Sequence, residues 1–138
     1  TVAIMAGANQ LDMMQALGVS EDQLVTISSN ADAISTVSTG RANAYAATGL
    51  TASELAGQSD AVEVAEGFSD PVIDGTEQRS WGGFVFAQGN EGLRDAVNEV
   101  LAEYKQTDEW LASVSGYGFT DADTSRSFDM STEELCTE

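Results

Sequence analysis

The chain has 138 residues, enough for one ordinary domain or for two small lobes. Its 42% hydrophobic content and single proline argue against a disordered chain. Five basic residues against 23 acidic ones give a net charge of −18, a field that makes nucleic acid and anionic membrane surfaces poor partners.

The acidity is spread over both halves and reads as a solvated surface suited to salty surroundings. No Asp/Asn loop ending in a bidentate Glu is present, so no calcium loop is assigned. Histidine is absent, which removes the commonest general base and metal ligand. Cys136 is the single cysteine, so it has neither a disulfide partner within the chain nor a histidine to activate it. No catalytic residue, metal or cofactor is therefore assigned. The longest apolar runs, such as Val2–Ala8, fall far short of a membrane span. No signal-peptide pattern opens the sequence, and Thr1–Ala6 starts inside what reads as a buried strand, so residues upstream of Thr1 are expected.

In chain order, the apolar run Val2–Ala6 predicts a strand, followed by a Gly7-Ala8-Asn9 turn and a helix carrying Leu11, Met14 and Leu17. Gly18 stands where a left-handed cap ends that helix. Gln23–Ser28 alternates as a strand, and Asn30 is expected to cap a second helix that Gly40 closes. Asn43–Ala47 predicts a short strand around Tyr45. Thr51-Ala52-Ser53-Glu54 has the capping-box pattern, with Leu50 and Leu55 as its staple. Ala61–Ala65 reads as a further strand and Gly67–Gln78 as a loop or crossing. Strands and helices alternating in short units indicate a parallel sheet with crossover helices, hence an α/β fold.

The pattern restarts with Trp81–Phe86 as a buried strand, then a long helix bearing Leu93, Val97, Val100, Leu101 and Tyr104. Thr107 opens another helix that stops at Gly116, and Ser131–Glu134 repeats the capping-box pattern. Residues 1–78 make a plausible α/β lobe. Residues 79–138 offer too little sheet to cover their apolar helices and need a partner, either more sequence, a second chain or the first lobe.

Two positions point to binding. The Gly7-Ala8-Asn9-Gln10 turn joins a strand to a helix N-terminus, where free amides and the dipole favour an anion. Thr48 follows the third strand, so it should share the carboxyl edge of the sheet with that turn, where open parallel sheets bind ligands. The structural alternative is that Asn9, Thr48 and Thr51 only start helices. Arg41 lies at the far end of its strand and reads as a surface ion pair. Trp81, Phe84 and Phe86 read as core more readily than as an aromatic cage for a cation.

With these residues on the page, the chain resembles the later part of type II periplasmic solute-binding proteins of polar-amino-acid ABC importers. The resemblance rests on the opening strand, Gly7 turn and helix, on the run Ala33–Ala46 with Gly40-Arg41-Ala42-Asn43-Ala44-Tyr45-Ala46, and on Trp81–Phe86. Leu93–Leu101 with Asn98, and Tyr117-Gly118-Phe119, extend it over essentially the whole chain. Ala47–Thr51, Asp70–Gly75 and Thr132–Cys136 look most like the ectoine and hydroxyectoine branch. Amino-acid binders of the family usually carry an aspartate where Thr48 stands, and a hydroxyl residue where Ala8 stands.

The resemblance implies an extracytoplasmic, non-catalytic protein whose two lobes close on a small zwitterionic solute and present it to a membrane ABC permease. Residues 1–78 would be the second lobe, and residues 79–138 would return to complete a first lobe whose N-terminal part is missing. Gly7, Ala8, Asn9, Gln10 and Thr48 would supply the second lobe's ligand contacts. A polar amino acid is the alternative ligand, and the ligand-sensing domain of a membrane receptor is the alternative role. A chain lacking its covering lobe would expose its apolar faces and could form a dimer.

Overall fold

Val2–Met5 forms β1 because its apolar run can be covered on both faces, and Ala3 and Ile4 are buried there. A computed structural model describes residues 1–135, and Cys136 lies outside the described residues. The chain divides into two units, Thr1–Trp81 and a second that begins at Gly82.

In the first unit β1 is followed by α1 (Gln10–Ala16), β2 (Leu24–Ile27), α2 (Ala31–Ser38), β3 (Ala44–Ala46) and α3 (Gly49–Ala56). The three strands make one parallel sheet in the order β2-β1-β3. Ile4 pairs with Thr26 on one side and Ala46 on the other. The core gathers Ala3, Ile27, Ala33 and Ala42, with Val25, Tyr45 and Leu55 packed against it. Small side chains dominate it, so α2 can lie close to the strands. The expected α/β architecture with crossover helices is therefore present. Gly18 follows α1 at φ 88°, in the left-handed conformation its position requires.

Four expectations are corrected. Helix α3 begins one turn early: Thr48, not Thr51, is its N-cap, and its hydroxyl accepts the Thr51 amide at 3.4 Å. Asn30 stands at the N-cap of α2 in a helical conformation and makes no capping bond, because its Oδ1 accepts the Tyr45 hydroxyl at 2.5 Å. Ala61–Ala65 is a turn and irregular chain, with no strand pairing. The stretch read as a loop holds an antiparallel hairpin, β4 (Val72–Ile73) with β5 (Thr76–Glu77). Asp74 and Gly75 join those strands with φ of 51° and 82°, as a two-residue turn of the mirror-image type requires.

The second unit carries α4 (Glu91–Tyr104), α5 (Asp108–Ser115), α6 (Asp121–Ser125) and α7 (Thr132–Leu135). The α5 start is as the sequence predicts, with the Thr107 hydroxyl accepting the Trp110 amide at 3.1 Å. The Ser131 box also forms, its amide and hydroxyl each donating to Glu134 at 2.8 Å. The Trp81–Phe86 strand does not form among the described residues, because no second strand lies along it. Nor are its aromatics core: Phe84 is 70% exposed, and Trp81 is exposed as well. Helix α4 buries no residue, and Leu93 and Val100 face solvent.

Candidate functional site

All three strands of the sheet run the same way, so the segments after β1, β2 and β3 emerge along one edge. In the order β2-β1-β3 the crossover from β1 moves to one side of the sheet and the crossover from β2 passes back over β1 to the other, so the strand order reverses at β1 and its end next to β3 is the place where such sheets take ligands. Gly7–Gln10 follows β1 and Thr48 follows β3. The five residues singled out from the sequence are thus carried at the ends of two neighbouring strands.

Their hydrogen bonding differs. Gly7 takes φ 74°, a conformation that favours glycine, and turns the chain sharply off the strand. The Ala8 amide is already engaged by the Met5 carbonyl at 3.1 Å. Asn9 stands at the N-cap of α1 in a helical conformation, and its side chain does not cap. Its amide group and that of Gln10 therefore remain the side-chain donors at this edge. Asp12 in the first turn of α1 works against an anion there. Thr48 is exposed, accepts the Thr51 amide and donates to Thr51 Oγ1 at 3.0 Å. One hydroxyl lone pair is left to accept from a ligand N–H or water.

The end of β2 adds a polar cluster. Ser29 and Ser28 donate to Asp32 at 2.9 and 3.1 Å, and these bonds, Ser29 first, hold its carboxyl below the usual range. Burial raises the Tyr45 phenol. Arg41 is exposed, and the ion pairs found among the described residues are Arg79 with Glu77 and Arg94 with Asp95. Among the described residues Arg41 makes no close ion pair, although its charge helps to hold the Asp32 carboxyl down.

Residues the sequence reading missed join Asn9 in a groove of about 270 Å³, where Asp12, Gln78 and Arg79 face Met13 and Ile73. Its far wall is the β4–β5 hairpin. The Asp74-Gly75 dipeptide was the available signal for that hairpin. Among the described residues no group of three or more His, Cys, Asp or Glu is placed to hold a metal, and no helix is long and apolar enough to cross a membrane.

Over 135 residues the chain is 54% identical to a probable amino-acid ABC transporter periplasmic-binding protein of Sinorhizobium fredii. The chain is similar to a periplasmic-binding protein. The match takes in 98% of this chain and 45% of the relative, so the chain spans about half the relative's length. The parallel sheet with crossover helices is consistent with part of such a protein. No family model and no solved structure matches the chain.

Proposed function

We propose that the chain is part of the solute-binding component of an ABC importer, which works in the periplasm without catalysis. The 54% identity across nearly the whole chain carries this reading. Residues 1–78 act as the second lobe of a two-lobe binder, and residues 79–138 return to complete the first. The exposed apolar faces of Leu93 and Val100 on α4 accord with a surface that another part of the protein covers. The cleft shuts when the ligand touches both lobes, since contacts to both stabilise the closed state. A membrane permease then receives the solute.

The ligand is a small zwitterion. Gly7, Ala8, Asn9 and Gln10 take its carboxylate, through the Asn9 and Gln10 side chains and the backbone of the turn. Thr48 faces its cationic part, directly or through water. A threonine there suits a cyclic amidinium such as ectoine or hydroxyectoine, which has no primary amine to pair with an acid. The acidic surface suits a compatible-solute importer. A polar amino acid is the second reading, favoured by the relative's description as an amino-acid transporter protein.

Binding calorimetry on the intact protein with ectoine, glutamate, glutamine and histidine separates the two. Thr48→Asp is the deciding variant, because aspartate also caps a helix and leaves the start of α3 in place. It should weaken ectoine about tenfold, the equivalent of ~1.4 kcal/mol, and strengthen an α-amino acid. Unchanged ectoine affinity in this variant would remove Thr48 from the site. If glutamate, glutamine or histidine binds and ectoine does not, the second reading replaces the first.

A further inference from the structure

The β4–β5 turn puts a reactive pair of residues on the surface. Asp74 is the only aspartate of the chain that glycine follows, and no asparagine precedes a glycine. The backbone nitrogen after an aspartate can attack the side-chain carboxyl and close a five-membered ring, and glycine obstructs that attack least. The approach is open here, because a Cβ added at Gly75 would meet nothing within 4 Å. Asp74 is exposed, and neither its carboxyl nor the Gly75 amide has a hydrogen-bond partner among the described residues. Neither reacting group is tied down.

The turn itself stands in the way. With φ of 51° at Asp74 and 82° at Gly75, a mirror-image turn rotates the Gly75 nitrogen away from the Asp74 side chain. The ring can close only after the hairpin opens. Little holds it shut. The ladder consists of the Val72–Glu77 and Ile73–Thr76 pairs. Beyond them the Gln78 amide donates to the Pro71 carbonyl at 2.8 Å, and proline has no N–H to return. Val72 is 59% exposed, and Thr76 and Glu77 are exposed as well. A hairpin this short and this poorly buried opens without the rest of the fold.

We propose that Asp74 is a modification site, where the folded protein converts aspartate to isoaspartate through local opening of the β4–β5 hairpin. The Gly75 nitrogen bonds to Asp74 Cγ, the amide proton and the carboxyl hydroxyl leave as water, and a succinimide forms. Water then adds to the ring carbonyl that came from the main chain, and the bond from that carbon to nitrogen breaks. One water is lost and one is taken up, so nothing is oxidised or reduced. The backbone now runs through Cβ and Cγ, one carbon longer, with the former main-chain carboxyl as a side group. A two-residue turn no longer closes over that length. Ile73 and Thr76 then lose register, and the wall they give to the Asn9 groove is lost with it. The site is independent of the solute reading given above.

The test keeps the full chain warm at neutral pH and samples it over time. Trypsin releases residues 42–79, between Arg41 and Arg79, and an isoaspartyl methyltransferase with labelled S-adenosylmethionine reads isoaspartate in that fragment. Label should accumulate with time and be lost in Asp74→Glu, whose ring would need a sixth member. Asp74→Asn should label faster, because ammonia leaves more readily than hydroxide, and Asn-Gly suits the same turn. In urea below the unfolding transition the rate should stay flat, since opening one hairpin exposes little surface. No label in the wild-type fragment, undiminished label in Asp74→Glu, or a rate that climbs with urea as steeply as global unfolding overturns the proposal. If Asp74→Glu loses its native circular dichroism, Asp74→Asn and the urea dependence decide.

Discussion

Thr36 shows how a single side chain can carry a cost the fold has not removed. It is fully buried in α2, and its hydroxyl has no hydrogen-bond partner among the described residues. An unsatisfied buried hydroxyl costs roughly 1–3 kcal/mol, while its shape still fills the core. Thr36→Val should therefore raise stability by about 1 kcal/mol in denaturant unfolding; a loss of stability would mean that the hydroxyl has a partner. Asp32 behaves in the opposite way, because its Oδ2 accepts from both Ser29 and Ser28. Its folded pKa lies below the ordinary 3.8, so its contribution is present above that pH and is lost as pH falls through the folded value. Ser29→Ala should bring the Asp32 titration midpoint back towards 3.8, read by carboxyl NMR, and an unmoved midpoint would contradict this assignment. The acid at position 32 in a helix's first turn was legible in the sequence. Its two hydroxyl partners were not, since the turn geometry after β2 brings them to it.

At the scale of the element, helix starts were the most readable feature and also the place where two patterns competed. Residues 48–54 contain two overlapping hydroxyl caps, Thr48 with Thr51 and Thr51 with Glu54. The earlier one wins, and the extra turn places Thr51 inside α3. Thr48→Ala should cost about 1 kcal/mol of stability and Thr51→Ala clearly less, by thermal or denaturant unfolding. Equal losses would restore Thr51 as the cap. The Thr107 and Ser131 starts were legible because each stands alone before its helix. Two further boxes, Ser20 with Gln23 and Thr120 with Asp123, carry the same spacing and were overlooked. Strands were harder. Val2–Met5 is apolar throughout and finds neighbours on both sides, whereas Trp81–Phe86 has an equally good pattern and finds none among the described residues. A strand exists only through its ladder, and the sequence of one segment does not contain the other side of it.

For the whole molecule, charge and exposed apolar surface act against each other. Phe84 is 70% exposed and Val85 97%, and Leu93, Val100 and Tyr117 are exposed besides. A net charge of −18 opposes the association that such surface favours. Salt screens the repulsion over a Debye length of about 10 Å at 0.1 M and about 3 Å at 1 M. The chain 1–138 is therefore expected to self-associate more as sodium chloride rises, dimer first. Sedimentation velocity at low and molar salt reads this directly, and a monomer in both would show that the exposed residues do not form a contiguous adhesive face.

The sequence by itself determined the α/β class, the order of the first three strands and helices, and most helix boundaries. Those depend on local periodicity, turn residues and caps, which are written within a few residues of one another. It also placed Gly7–Gln10 and Thr48 after strands β1 and β3. Only the tertiary structure decided that these strands are neighbours on one sheet edge. The same holds for the Asn9, Gln78 and Arg79 groove. Each joins residues far apart along the chain through packing, and no short pattern encodes that.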